Sequence, residues 1–143
     1  MFPSKEYIAL CTKPEVAEKL SQGDPEGREE WEPREGDWFY NPSQDKVHLL
    51  TRNNTWFIGA PKRFIEHNIP LPTQRQLQEM IEERGYDWLL EVGALRDKDE
   101  RYEAVLYGLC TKSTTAVKIR IGAPDPETAL LRALLEVMEK EER

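Results

Sequence analysis

Histidine and cysteine are scarce in this 143-residue chain, two of each, so the residue types that most metal sites and nucleophile–base pairs draw on are nearly missing. Cys11 and Cys110 lie far apart, each in an apolar stretch, "YIALC" and "LYGLC". That setting predicts reduced, buried thiols rather than a disulfide or a zinc site. None of the eight glycines falls in a G-x-G-x-x-G or Walker pattern, so no phosphate cradle is spelled out. Apolar runs are short as well, none approaching the roughly 20 residues of a membrane span. The opening "MFPSKEYIALC" lacks the basic region and long apolar segment of a secretory signal, and a cytoplasmic chain without membrane contact is expected. Basic charge is in deficit: the net charge is −7. Nine basic and twelve acidic residues leave −3 over 1–68, and eleven and fifteen leave −4 over 69–143. With no basic arm in either half, nonspecific phosphate binding is disfavoured and no nucleic-acid partner is expected.

The scarce ionisable candidates do not compose a catalytic or metal-binding set. His48 stands near Asp45 and Ser43, but three such residues along one turn cannot reach triad geometry without help from elsewhere. His67, in "FIEHNIP", precedes a turn and reads as a solvent-facing or carbonyl-capping side chain. The acidic stretch "DKDERYE" invites comparison with a calcium loop, yet its fifth and sixth positions are Arg101 and Tyr102, where the loop needs a ligand and a glycine. Glu82, Glu83, Glu139, Glu141 and Glu142 read as solvated helix faces. No catalytic residue, metal or cofactor is expected.

The length itself is ample: a chain of this size buries about two-thirds of its unfolded surface without disulfides or metal. The pattern predicts an α+β protein in two parts. Over 1–68, "TKPEVAEKL" reads as a short helix with Thr12 as cap, Glu15 three residues on and Pro14 in the first turn. A long, mobile connection, "SQGDPEGREEWEPREG", follows. Then Asp37–Tyr40, Lys46–Thr51 and Thr55–Ile58 form a small aromatic-rich β-meander, its first turn being "NPSQD".

Over 69–143 the pattern is helix, three antiparallel strands, helix. "PLPTQRQLQEMIEERG" has Thr73 and Gln76 as a capping box, Leu77, Met80 and Ile81 at helical spacing, and Gly85 as its stop. "YDWLLEVGAL", "RYEAVLYGLC" and "TTAVKIRIG" are the strands, the last with Lys118 and Arg120 alternating against Val117, Ile119 and Ile121. In the terminal helix Asp125 caps, Pro126 takes the first position, and Leu130, Leu134, Val137 and Met138 supply the buried stripe. Two helices on such a sheet pack on one face or one on each.

Aromatics are concentrated: Trp31, Trp38, Phe39, Tyr40, Trp56 and Phe57 crowd within 27 residues. Most are expected in the core, with one or two left at the surface as an anchor. Tyr40, Arg52 and Trp56 are the candidate binding residues, Arg52 standing near Trp56 as a cation beside a ring.

Two resemblances follow from these residues. The carboxy-terminal element order resembles the double-stranded-RNA-binding domain, which grips phosphates with a Lys-Lys-x-Ala-Lys cluster at its last helix. Here "PDPETAL" stands in that place, and Asp125 and Glu127 would repel phosphate. The W-x-P-x-x-G-D opening (Trp31, Pro33, Gly36, Asp37), the "Pro…QL" helix and the AL-x-x-ALLE terminal helix are similar to small proteins of phages and prophages of Gram-positive bacteria. Residues 70–143 also resemble the phage ABA-sandwich domain. The resemblance implies a mobile-element setting and no assigned activity. The expected function is a noncatalytic binding or accessory protein acting through protein contacts or self-association. An acidic nucleic-acid mimic that occupies a basic site on a host enzyme is the alternative, and a hydrolase built on His48 the third reading.

Overall fold

The computed structural model describes residues 2–22, 33–51, 67–93, 97–109 and 116–142. The chain is α+β and divides into two compact units, Met1–Thr73 and Gln74–Arg143.

The first unit opens with two short helices where the sequence pattern suggests one. Helix α1 spans Lys5–Cys11, its start fixed by Ser4, whose hydroxyl accepts from the Tyr7 backbone N–H at 3.1 Å. Thr12 ends this helix rather than capping the next: its N–H donates to Ile8 and its hydroxyl to the Ala9 carbonyl. Helix α2 then runs Pro14–Gln22, with Pro14 in the first turn where a missing N–H costs nothing. Tyr7, Cys11, Val16 and Leu20 are buried, and the Tyr7 hydroxyl donates to the Pro72 carbonyl at 2.6 Å.

The sheet of this unit has strands β1 (Trp38–Asn41), β2 (Lys46–Leu49) and β3 (Ile69–Pro70) in the order β2-β1-β3, both pairings antiparallel. The hairpin turn forms as "NPSQD" suggests: the Asn41 side chain accepts from Gln44 N–H, and Asp45 takes the left-handed backbone at φ 51° that closes the loop. The partner on the other side of β1 is the two-residue β3; the strand expected at Thr55–Ile58 lies outside the described residues, as does 23–32 of the expected long connection. Phe39 is buried at 3% exposure, whereas Trp38 and Tyr40, on the opposite face, are half-buried. Phe2 covers Trp38 edge-on, ring centroids 5.5 Å apart.

The second unit follows the expected order closely. Helix α3 spans Gln74–Glu83, with Leu77 and Ile81 fully buried, and it stops at Gly85, whose φ of +86° only glycine adopts without strain. Strands β4 (Tyr86–Val92), β5 (Tyr102–Leu109) and β6 (Ala116–Ala123) form an antiparallel sheet with β5 in the middle. A short 3-10 turn, Lys98–Glu100, precedes β5. Tyr86 pairs with Gly108 and its ring occupies the space a side chain there would fill; a Cβ on Gly108 would come within 2.9 Å of it. Helix α4 spans Pro126–Glu142.

Both helices pack on the same face of this sheet, α3 against β4, α4 against β5 and β6, and the two against each other. Because α4 is covered by sheet on one side and by α3 on another, its buried surface is wider than a single stripe. Thr128, Ala129, Leu131 and Ala133 join Leu130, Leu134, Val137 and Met138 in the core. At its foot Arg84, buried, forms an ion pair with Glu141 of α4 and ties the two helices together.

Candidate functional site

In the first unit the structure assigns structural partners to the groups that might have carried chemistry. The Tyr40 hydroxyl donates to Asp45 Oδ1 at 2.5 Å across the hairpin turn. That hydrogen bond, then desolvation, then the nearby carboxylate charge raise the phenol above its ordinary pKa of 10.0. His48 stacks on Phe39, ring centroids 5.1 Å apart, and its Nε2 meets Gln44 Oε1 at 2.9 Å. Asp45 is thus engaged by Tyr40, and His48 by Gln44. The Gly36-Asp37 pair is a turn device: Arg34 N–H donates to Asp37 Oδ2 at 2.9 Å and Gly36 N–H to the Leu50 carbonyl at 2.7 Å. Of the candidate binding residues, Tyr40 is half-buried in this hairpin, and Arg52 and Trp56 lie outside the described residues.

The second unit presents a surface that the sequence alone did not mark. Strand pairing sorts its sheet residues into two faces. Tyr86, Trp88, Leu90, Ala104, Leu106, Ile119, Ile121 and Ala123 point to the helices. The other face carries three rows across the strands. Asp87, Tyr107 and Lys118 make the first row, Leu89, Val105 and Arg120 the second, and Glu91, Glu103 and Gly122 the third.

This second face has an apolar centre in a polar frame. Leu89 is 48% exposed and Tyr107 46%, while Val105, opposite Leu89 on the central strand, is almost fully covered at 3%. Arg120 lies beside them with its Nη1 2.5 Å from Glu103 Oε1 and 4.0 Å from Glu91 Oε2, so its charge is directed to the third row. Held across strands in this way, the guanidinium contributes little to stability, within about 1 kcal/mol at this exposure. It does order the acidic end of the face. At that same end Glu100 of the 3-10 turn packs on Gly122, whose missing side chain leaves room for it; a Cβ there would sit 3.1 Å from the Glu100 Cβ. The face is therefore closed at one end, covered at Val105, and open at Tyr107 and Leu89.

Adjacent apolar residues hid this surface from a sequence reading. In "YDWLLEV" and "YEAVLYG" apolar side chains fall on both faces, so alternation does not reveal which are covered. Only the register with β6, whose Lys118 and Arg120 mark the wet side, separates them. Among the described residues, no cluster of His, Cys, Asp and Glu could hold a metal ion, and no helix is long and apolar enough to cross a membrane. Comparison with known proteins found no matching family model, no similar curated protein and no similar solved structure.

Proposed function

We propose that this chain is a noncatalytic binding or accessory protein that acts through protein contacts made by the open sheet face of its second unit. The observation that carries the reading is the exposure of Leu89 and Tyr107 on a regular sheet whose other face is packed by helices. An exposed aromatic beside an exposed aliphatic, framed by ordered charges, has the composition of a small interface centre. The partners found for His48, Asp45 and Tyr40 support the same reading, since each is engaged in local structure. The acidic balance, net −7, favours a protein partner over a nucleic acid; a cytoplasmic setting belongs to the same proposal. The likeness of the Trp31–Asp37 and Ala129–Glu136 motifs to phage and prophage proteins supports an origin in a mobile element.

The test uses the wild-type chain and a Leu89→Asp/Tyr107→Asp variant as baits in a lysate supplemented with a differently tagged copy of the chain. The wild type is expected to retain a protein, the second copy included, in stoichiometric amount, and the variant to lose it. Equal capture by both would contradict the reading.

A further inference from the structure

We infer that the occupant of the open sheet face is a second copy of this chain, related by a twofold axis that runs parallel to the strands. The inference rests on reading that face as a binding surface, and deepens it by naming the partner. Its basis is the arrangement of charge in the first row: Asp87 on edge strand β4, Tyr107 on central β5 and Lys118 on edge strand β6, all in one register. Asp87 and Lys118 are both exposed.

Two sheets stack face to face about 10 Å apart with their strands nearly aligned. A twofold axis along the strands exchanges the two edges while keeping each row level, so β4 of one copy lies over β6 of the other. Asp87 then faces the partner copy's lysine at the Lys118 position, and the reverse pair forms on the other side of the axis. Tyr107, exposed on the central strand, meets its own equivalent on the axis, while Val105 in the next row is already covered within its own chain. A twofold axis across the strands would instead set β4 over β4, with Asp87 and Glu91 against acidic residues. Charge therefore selects the first arrangement. It is isologous, each copy using the same patch, as closed dimers do. In the third row Glu103 is already engaged by Arg120 of its own chain, which offsets the meeting of two carboxylates.

The face is small. Three strands about 4.8 Å apart and roughly eight residues long at about 3.4 Å each give a footprint near 400 Å² per copy, approximately. That is the range of weak, transient contacts, so the dimer is expected to form between about 10 µM and about 1 mM rather than at nanomolar concentration.

Sedimentation velocity over that concentration range tests the proposal, using the full chain and three exposed-site variants whose folding is checked by circular dichroism. Wild type should shift from monomer to dimer. Asp87→Lys and Lys118→Asp should each weaken the dimer by about tenfold or more, since each places like charges in apposition twice. An equimolar mixture of these two variants should form a heterodimer, because lysines then meet aspartates at both sites. Tyr107→Asp should remain monomeric and should not be rescued by either. A wild type that stays monomeric up to about 1 mM, or a dimer indifferent to the charge variants and their mixture, would overturn the proposal. The broader reading of the face as a binding surface would still stand or fall separately, on whether Leu89→Asp/Tyr107→Asp changes what the bait captures.

Discussion

Arg84 shows how a single residue is held by the balance between desolvation and pairing. Its side chain is 4% exposed and its partner Glu141 13%, so neither charge has enough water to stand alone. Arg84→Met is expected to destabilise the second unit by about 3 kcal/mol, because it leaves a buried carboxylate without its cation. Arg84→Met/Glu141→Leu should recover most of that loss, as an apolar pair of similar volume removes both charges. Urea denaturation of the two variants checks this; equal destabilisation by both would show that the ion pair itself, not the orphaned charge, matters. Tyr40 offers a pH signature. Its folded-state pKa is raised, so the folded chain favours the neutral phenol. The contribution is complete below 10.0 and is lost as pH rises through the folded value. Ultraviolet titration of tyrosinate should show a late-titrating component that is lost in Tyr40→Phe and moves back toward the ordinary range in Asp45→Asn. A titration unchanged in both variants would contradict the assignment.

At the scale of elements, local chemistry set most of the boundaries. Asp125 is a full cap: its Oδ1 accepts from the Thr128 N–H and its Oδ2 from the Thr128 hydroxyl, both at 2.8 Å. Asp125→Ala should cost about 1 to 2 kcal/mol, visible as a lower thermal midpoint of the second unit; an unchanged midpoint would show that packing alone holds the start of α4. Beside it, Glu127 has its pKa raised chiefly by burial, so the charged form is disfavoured at a position where the helix dipole would otherwise welcome it. The second unit was legible in the sequence for these reasons: caps at Thr73 and Asp125, the stop at Gly85, and a one-sided alternation in β6 are local signals. Other elements depend on distant partners and were not legible. Helix α1 is seven residues long and its stretch "YIALC" has no polar alternation, so only the Ser4 cap marks it, and Tyr7 is fixed by Pro72 far along the chain. Strand β3 is two residues ending in proline, and it exists because β1 offers it a free edge. The open face of the second sheet belongs to the same group, since it is defined by register and by which side the helices take.

For the whole molecule, the chain combines two compact units, a net charge of −7 and one regular sheet face that its own helices leave open. Charge of this size keeps copies apart in general, so any self-association has to be local and complementary. The row Asp87–Tyr107–Lys118 meets that requirement, carrying both signs with an aromatic between them. The account's central claim is that this face is where the chain meets a second copy of itself, and a dilution series followed by amide chemical shifts tests it most directly. On diluting the full chain from about 1 mM to about 10 µM, across the range of a weak contact, the account predicts that resonances of Leu89, Val105, Tyr107 and Lys118 move progressively while those of β1 and β2 stay fixed. Shifts absent from the second sheet, or confined to Tyr40 and its hairpin, would contradict it.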